Sequence, residues 1–176
     1  MNFIDVLTVI WFFLPAGLAN MAPVFAAKIP GLKNFVYPLD FNLTWRGKRI
    51  FGDHKTVRGL ISGIIVGVIT VLIQQRLLIN LESLRSFINI DYSQINWLVL
   101  GTLLGGGAII GDAIKSFFKR QWNIASGESW LVFDQIDYIL GGIIFSYLYI
   151  PLAPVQYLLI LIIFFLLHLA VTNIGY

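Results

Sequence analysis

The stretch GDAIKSFFKRQWNIASGESWLVFDQIDYILGG, residues 111–142, carries four of the chain's nine acids, Asp112, Glu128, Asp134 and Asp137, between long apolar runs. The 176-residue chain is 58% hydrophobic and only 12% charged, with a mean hydropathy of +0.83. A soluble domain is about half apolar, so this composition describes an integral membrane protein. Carboxylates at the boundary of an apolar span are more often functional than structural. On a helix, Asp112, Lys115, Ser116 and Lys119 stand at i, i+3, i+4 and i+7 and share one face; Asp134 and Asp137, at i and i+3, share another.

Working outward, the hydropathy pattern predicts an all-α membrane protein of five transmembrane helices forming a single domain, residues 1–176. The expected spans are about 3–27, 57–79, 95–118, 133–150 and 152–171, each close to the length that crosses a bilayer. The first apolar stretch has no small-residue cleavage signature and is expected to be retained as a span. Pro15 and Pro23 interrupt it beside Asn20, which predicts a kink with freed carbonyls. Either this is a packing kink or Asn20 lines a polar cavity. Gly59, Ser62, Gly63 and Gly67 in the second span, and GTLLGGGAIIG (residues 101–111) in the third, let neighbouring helices approach closely. A short interfacial helix is expected between the second and third spans. The lone His168, near the inner end of the last span, reads as an interfacial side chain.

Residues 28–58 hold seven basic residues, Lys28, Lys33, Arg46, Lys48, Arg49, Lys55 and Arg58, against Asp40 and Asp53. Lys and Arg are enriched in cytoplasmic loops. The two inner loops are therefore 28–56 and 119–132, with the N-terminus outside and the C-terminus cytoplasmic. Both charged helix ends then lie at the same membrane depth, facing the cytoplasm.

Three carboxylates gathered in one place repel unless a cation neutralises them, and an all-oxygen set suits a hard ion such as magnesium. Cysteine is absent from the chain, which excludes thiolate metal sites, cysteine nucleophiles and disulfides, and disfavours zinc. Magnesium with nearby Lys and Arg is the usual apparatus for displacement at phosphorus. The start of the fourth helix adds a positive dipole end. The segment GKRIFGDHKTVRG, residues 47–59, lacks the ending of a phosphate-binding P-loop, yet Lys48, Arg49, Lys55 and Arg58 could hold a polyphosphate. The plainer alternatives are that Asp112 pairs with Lys115 or Lys119, that Asp134 and Asp137 cap a helix, and that the loop charges serve topology and anionic lipid. The net charge of +3 is spread along membrane ends, which argues against nucleic acid as a partner.

At GDAIKSFFKR (residues 111–120), FDQIDYILGG (133–142) and GKRIFGDHKTVRG (47–59) the chain resembles the membrane CTP-dependent lipid cytidylyltransferases, and within them the archaeal CDP-archaeol synthases. The resemblance covers the whole length. It implies transfer of CMP from CTP to the unsaturated ether lipid phosphate 2,3-bis-O-geranylgeranyl-sn-glycerol 1-phosphate, with release of diphosphate, at the cell membrane. It implies magnesium, as two ions, on Asp112, Asp134 and Asp137. Lys115, Lys119 and Arg120 fall in the basic half of the signature. Lys48, Lys55 and Arg58, with Arg120, are the candidates for the CTP phosphates, and Lys115 and Lys119 join the three acids as the catalytic set. The lipid phosphate would arrive from the inner leaflet. A homodimer is left open. The His-Gly-Gly-like segment of the larger bacterial phosphatidate enzymes is missing, which favours the archaeal branch. A cytidylyltransferase or CTP-dependent kinase for another lipid, and a small magnesium or phosphate transporter, are the competing readings.

Overall fold

The computed structural model describes residues 3–125, 128–130 and 132–174. Six helices carry the fold, in the order α1 (Phe3–Ala26), α2 (Val57–Asn80), α3 (Glu82–Arg85), α4 (Trp97–Gln121), α5 (Phe133–Tyr147) and α6 (Pro154–Ile174). Residues 126, 127 and 131 of the expected second inner loop lie outside the described residues. Among the described residues four helices, α1, α2, α4 and α6, are long and apolar enough to cross a membrane. The fold is thus a multi-pass helical bundle. The expected fourth span, 133–150, appears as the 15-residue α5 followed by a turn closed by Tyr149 and Ile150 N–H bonds to the Ser146 carbonyl. At 1.5 Å per residue α5 is about 22 Å long, short of the roughly 30 Å hydrocarbon core.

The expected boundaries otherwise shift by a few residues. The third span, α4, starts at Trp97, where the Asn96 side chain accepts from the amides of Leu98 and Val99. It runs on to Gln121, three residues past the expected end. The interfacial helix expected between the second and third spans is α3, followed by a 3-10 turn at Tyr92–Gln94. Hydropathy did not show a two-stranded antiparallel hairpin, β1 (Thr44–Trp45) with β2 (Lys48–Arg49), in the basic loop. Charged and aromatic side chains alternate there without an apolar period, so only its turn residues, Arg46 and Gly47 at positive φ, record it.

Helix α4 sits at the centre, and its glycines explain how. Cβ atoms on Gly101 or Gly105 would stand 2.4 Å from the Val68 Cα and 2.5 Å from the Gly63 carbonyl oxygen of α2. On a different face, one on Gly111 would stand 2.3 Å from the Asp137 carbonyl oxygen of α5. The run GTLLGGGAIIG thus brings two helices into backbone contact with one, the role small residues play where lipid supplies no hydrophobic drive.

The prolines of α1 lie within a continuous helix. Pro15 has no N–H to give the Trp11 carbonyl, and Gln74 of α2 donates to that oxygen at 2.6 Å. A neighbouring helix re-satisfies the freed group, as a membrane interior demands. Tyr138 likewise donates to the Phe164 carbonyl across α5 and α6 at 3.1 Å. His168 is partly buried, its ring 5.7 Å from that of Tyr138, in place of the solvated position expected from the sequence.

Candidate active site

The end of α1, the start of α2, the end of α4 and the start of α5 meet at one end of the bundle. There the last turns of α4 present Asp112, Lys115 and Lys119 from a single face, as the i, i+3, i+7 spacing requires. The first turns of α5 present Asp134 and Asp137. The Lys115 ammonium lies among three carboxylates, 3.0 Å from Asp112 Oδ1, 2.9 Å from Asp134 Oδ1 and 2.6 Å from Asp137 Oδ2. From the loop, the Lys55 ammonium reaches Asp112 Oδ2 at 2.5 Å. Lys119 stands 3.5 Å from Asp134 and donates to the Glu128 carbonyl. Three acids are matched by three lysines in a largely desolvated cluster; the Lys115 side chain is 13% exposed and that of Asp137 5%.

Neighbouring amides hold the acids in place. Asp134 Oδ2 accepts the Trp130 N–H at 2.6 Å, and Asp137 Oδ1 accepts the Tyr138 N–H at 2.5 Å. Ser116, on the face of Asp112, back-bonds to the Asp112 carbonyl at 3.0 Å.

Asp40 is what brings Lys55 to Asp112. Its side chain is fully buried and accepts from Arg49 Nη2 at 2.7 Å, Arg49 Nε at 3.3 Å, and the amides of Phe51, Gly52 and Asn42 at 2.9, 3.0 and 3.1 Å. The neighbouring Leu39 N–H then bonds the Lys55 carbonyl at 2.7 Å, and Pro38 bridges to Thr56. Burial alone would raise the Asp40 pKa, but the Arg49 guanidinium and the three amides outweigh it and lower it to about 2. Arg49 is raised in turn, chiefly by its bond to Asp40 and further by Asp53, 2.6 Å away. In the sequence Asp40 read only as a charge in a basic loop and Arg49 as a further candidate for a polyphosphate, whereas here Arg49 is taken up by Asp40 and Asp53. That Asp40 is one of only two acids among seven basic residues was the one available signal.

The other predicted residues separate. Arg58 lines a cavity of about 300 Å³ together with Asn20, His54, Lys55, Thr56 and Asp112, while its Nη1 donates to the carbonyls of Leu32 and Lys33. Asn20 thus lines a polar cavity, the sharper of its two readings. Lys48 is held elsewhere, donating to the Gln121 carbonyl at the end of α4 at 2.7 Å. Arg120 points toward the loop, where a Cβ on Gly52 would stand 3.8 Å from its Cδ. His54 and Thr56 were not among the expected site residues, because nothing in their spacing marks a loop residue that faces a helix.

Among the described residues no three acids or imidazoles stand close enough to ligate one ion as they are. The donors nevertheless fit a hard cation in kind: three carboxylates converge on one cationic point, now held by the Lys115 ammonium. Asp112, Asp134 and Asp137 are the residues that could hold a hard cation there once Lys115 withdraws.

The whole chain, residues 1–176, matches the family described as CarS-like, CDP-archaeol synthase. CDP-archaeol synthase of Pyrococcus furiosus is 33% identical over 172 residues, covering 97% of this chain and 93% of that protein. The Methanosarcina barkeri CDP-archaeol synthase is 40% identical over 179 residues, covering 93% of this chain and 94% of its own. A solved structure described as an intramembrane enzyme for archaeal membrane lipids biosynthesis superposes with a TM-score of 0.74 at 28% identity, covering 96% of this chain and 94% of that one. With its full length matched, this chain belongs to the CDP-archaeol synthase family.

Proposed function

We propose that this chain transfers CMP from CTP to 2,3-bis-O-geranylgeranyl-sn-glycerol 1-phosphate, giving CDP-archaeol and diphosphate. The observation that carries the reading is the balanced cluster of three carboxylates and three lysines at one end of a membrane bundle, opening on a polar cavity. Family membership supplies the substrates. The seven basic residues of segment 28–58 gather at the same end, which favours a site facing the cytoplasm with the N-terminus outside. In this topology α5 is the fourth of five crossings, short because it begins at the site, and residues 1–176 form one catalytic domain with a cytoplasmic C-terminus.

A lipid phosphate oxygen attacks the α-phosphorus of CTP; a P–O bond forms there and the bond to the β-phosphate oxygen breaks, with diphosphate leaving. No protein nucleophile is required, since the lipid phosphate is ionised at neutral pH. The task is to hold two anions in line against their repulsion. Lys55 and Arg58, in the wall of the cavity, take the triphosphate; Lys48 and Arg120 lie outside that lining and would have to swing in to reach it. Lys115 and Lys119 turn from their acids to the reacting phosphates. Asp112, Asp134 and Asp137 would then be free to hold magnesium, as two ions, which would supply charge neutralisation and orientation of phosphate oxygens. Because the lysines are already neutralised by the acids, an incoming triphosphate finds little net positive charge unless divalent cations accompany it.

The test is product analysis with purified protein, CTP and the ether lipid phosphate. CDP-lipid and diphosphate should form with magnesium and cease with a chelator. CDP together with a phosphorylated lipid alcohol would instead establish a kinase. Ion flux in liposomes without CTP turnover would establish a transporter.

A further inference from the structure

Beside the charged cluster, α4 and α5 enclose a groove of about 410 Å³. Its walls are two stripes at helical spacing, Ile114 and Phe118 on α4 and Leu140 and Ile144 on α5, all 42–60% exposed. Exposed apolar side chains are ordinary on a membrane helix. A deep concave face between two helices is not, and glycine produces it here. Gly111 and Gly141 form the floor, where a Cβ on Gly141 would stand 2.1 Å from the Gly107 carbonyl oxygen and 2.9 Å from the Gly111 Cα. The backbones touch, no side chain fills the space above them, and the walls stand clear.

The groove also has two unlike ends. Lys115 and Asp137, members of the charged cluster, line it. Past them, toward the loop end, stands an aromatic group in which Trp130 stacks on Phe133 at 4.2 Å and meets Trp122 edge-on at 5.1 Å. In the other direction the lining is purely apolar over the seven positions that follow Asp137, as far as Ile144, about 10 Å of helix rise. A ligand seated here has an anionic head at Lys115 and a hydrocarbon body running toward the bilayer interior.

We propose that the α4–α5 groove holds one hydrocarbon tail of the lipid phosphate, with Leu140 and Ile144 as residues that select for that tail. This rests on the transferase reading above and adds to it which helix face carries the tail. The continuity of the groove with Lys115 and Asp137 is what points to the substrate over bulk lipid, whose headgroup would have no reason to sit at a buried acid. Burying an isoprenoid chain along this face lets tail binding fix the depth of its phosphate, and so its alignment with CTP.

Two measurements test this. Ile144→Trp and Leu140→Trp fill the groove, with Ile162→Trp, on α6 and between them in exposure, as control. The groove variants should raise the KM for the long-tailed lipid phosphate by about tenfold or more, the scale of losing a methylene or two from an apolar pocket. The KM for CTP, and turnover of a short-tailed analogue, should stay as in the control. An unchanged long-tail KM overturns the proposal. Independently of turnover, a lipid phosphate with a diazirine at its tail end should label the peptide holding residues 138–147 in preference to α6. Equal labelling by a zwitterionic phospholipid bearing the same diazirine would make the groove a bulk-lipid face and overturn the proposal. So would a change in oligomeric state of the Trp variants without loss of labelling, which would mark a contact between two copies. Absence of any CMP transfer by the unaltered protein would sink the transferase reading, while the labelling pattern would still decide the groove.

Discussion

Asp40→Ala is the most informative single substitution, because it alters no helix residue and no member of the charged cluster itself, only the loop that carries Lys55. It removes a buried acceptor of five hydrogen bonds. Bonds to a charged group contribute about 1.5–3 kcal/mol each but are not additive. The lowering of the Asp40 pKa from 3.8 to about 2 corresponds to roughly 2 kcal/mol. We therefore expect the loop to lose about 2–3 kcal/mol, or roughly 30- to 150-fold in its closed population. The loss is local, since the loop hangs from the ends of α1 and α2. Amide exchange at residues 51–57 should accelerate by that factor while α4 exchanges as before, and the KM for CTP should rise through misplacement of Lys55. Asp40→Asn, which keeps the shape and one acceptor, should lie between the two. The sign with pH follows from the depressed value: the stabilisation is fully present above about pH 4 and disappears as the pH falls toward 2. Unchanged exchange at residues 51–57 in Asp40→Ala would refute the reasoning, because the amides of Phe51 and Gly52 would then not depend on the acid.

Three further outcomes follow from the site and the helix contacts. Asp137→Asn and Asp134→Asn should each remove CMP transfer with helix content and thermal midpoint retained; near-normal turnover would return that acid to a helix-capping role. Lys55→Ala should raise the KM for CTP by about tenfold or more, the scale of one charge-assisted contact, with lipid phosphate KM little changed, and equal effects on both substrates would count against its role at the triphosphate. Gly141→Val should destabilise the bundle by several kcal/mol, since its Cβ would meet the α4 backbone, which cannot yield as a side chain would. A variant that melts like the unaltered protein would show that α4 and α5 are not in backbone contact.

Much of the site was legible because membrane sequences restrict where charge is tolerated. Asp112, Lys115, Lys119, Asp134 and Asp137 stood out against apolar flanks, and helical spacing alone placed them on two faces. The loop residues were not legible in the same way. Lys48, Lys55 and Arg58 looked equivalent as basic residues, yet only Lys55 pairs with an acid of the cluster; Lys48 bonds to the end of α4, and Arg58 to two loop carbonyls. A loop has no period from which a facing can be read, so its geometry waits on long-range bonds such as Leu39 to Lys55. The shortness of α5 was also hidden, since hydropathy continues smoothly through residues 148–150 where the chain has already turned.

The amino-acid sequence by itself determined the solvent, the helical class and the chemistry. Apolar composition demands a bilayer, a bilayer demands that backbone groups be satisfied within helices, and carboxylates beside lysines in a chain without cysteine point toward phosphate and hard-cation chemistry. Tertiary structure alone decided which charges meet. The three acids converge on one ammonium because Gly111 lets α4 and α5 touch at the backbone, and Lys55 joins them because a buried Asp40 folds its loop back over α4. In residues 111–142 the two charged helix ends are neighbours in the chain, but only packing makes them a site.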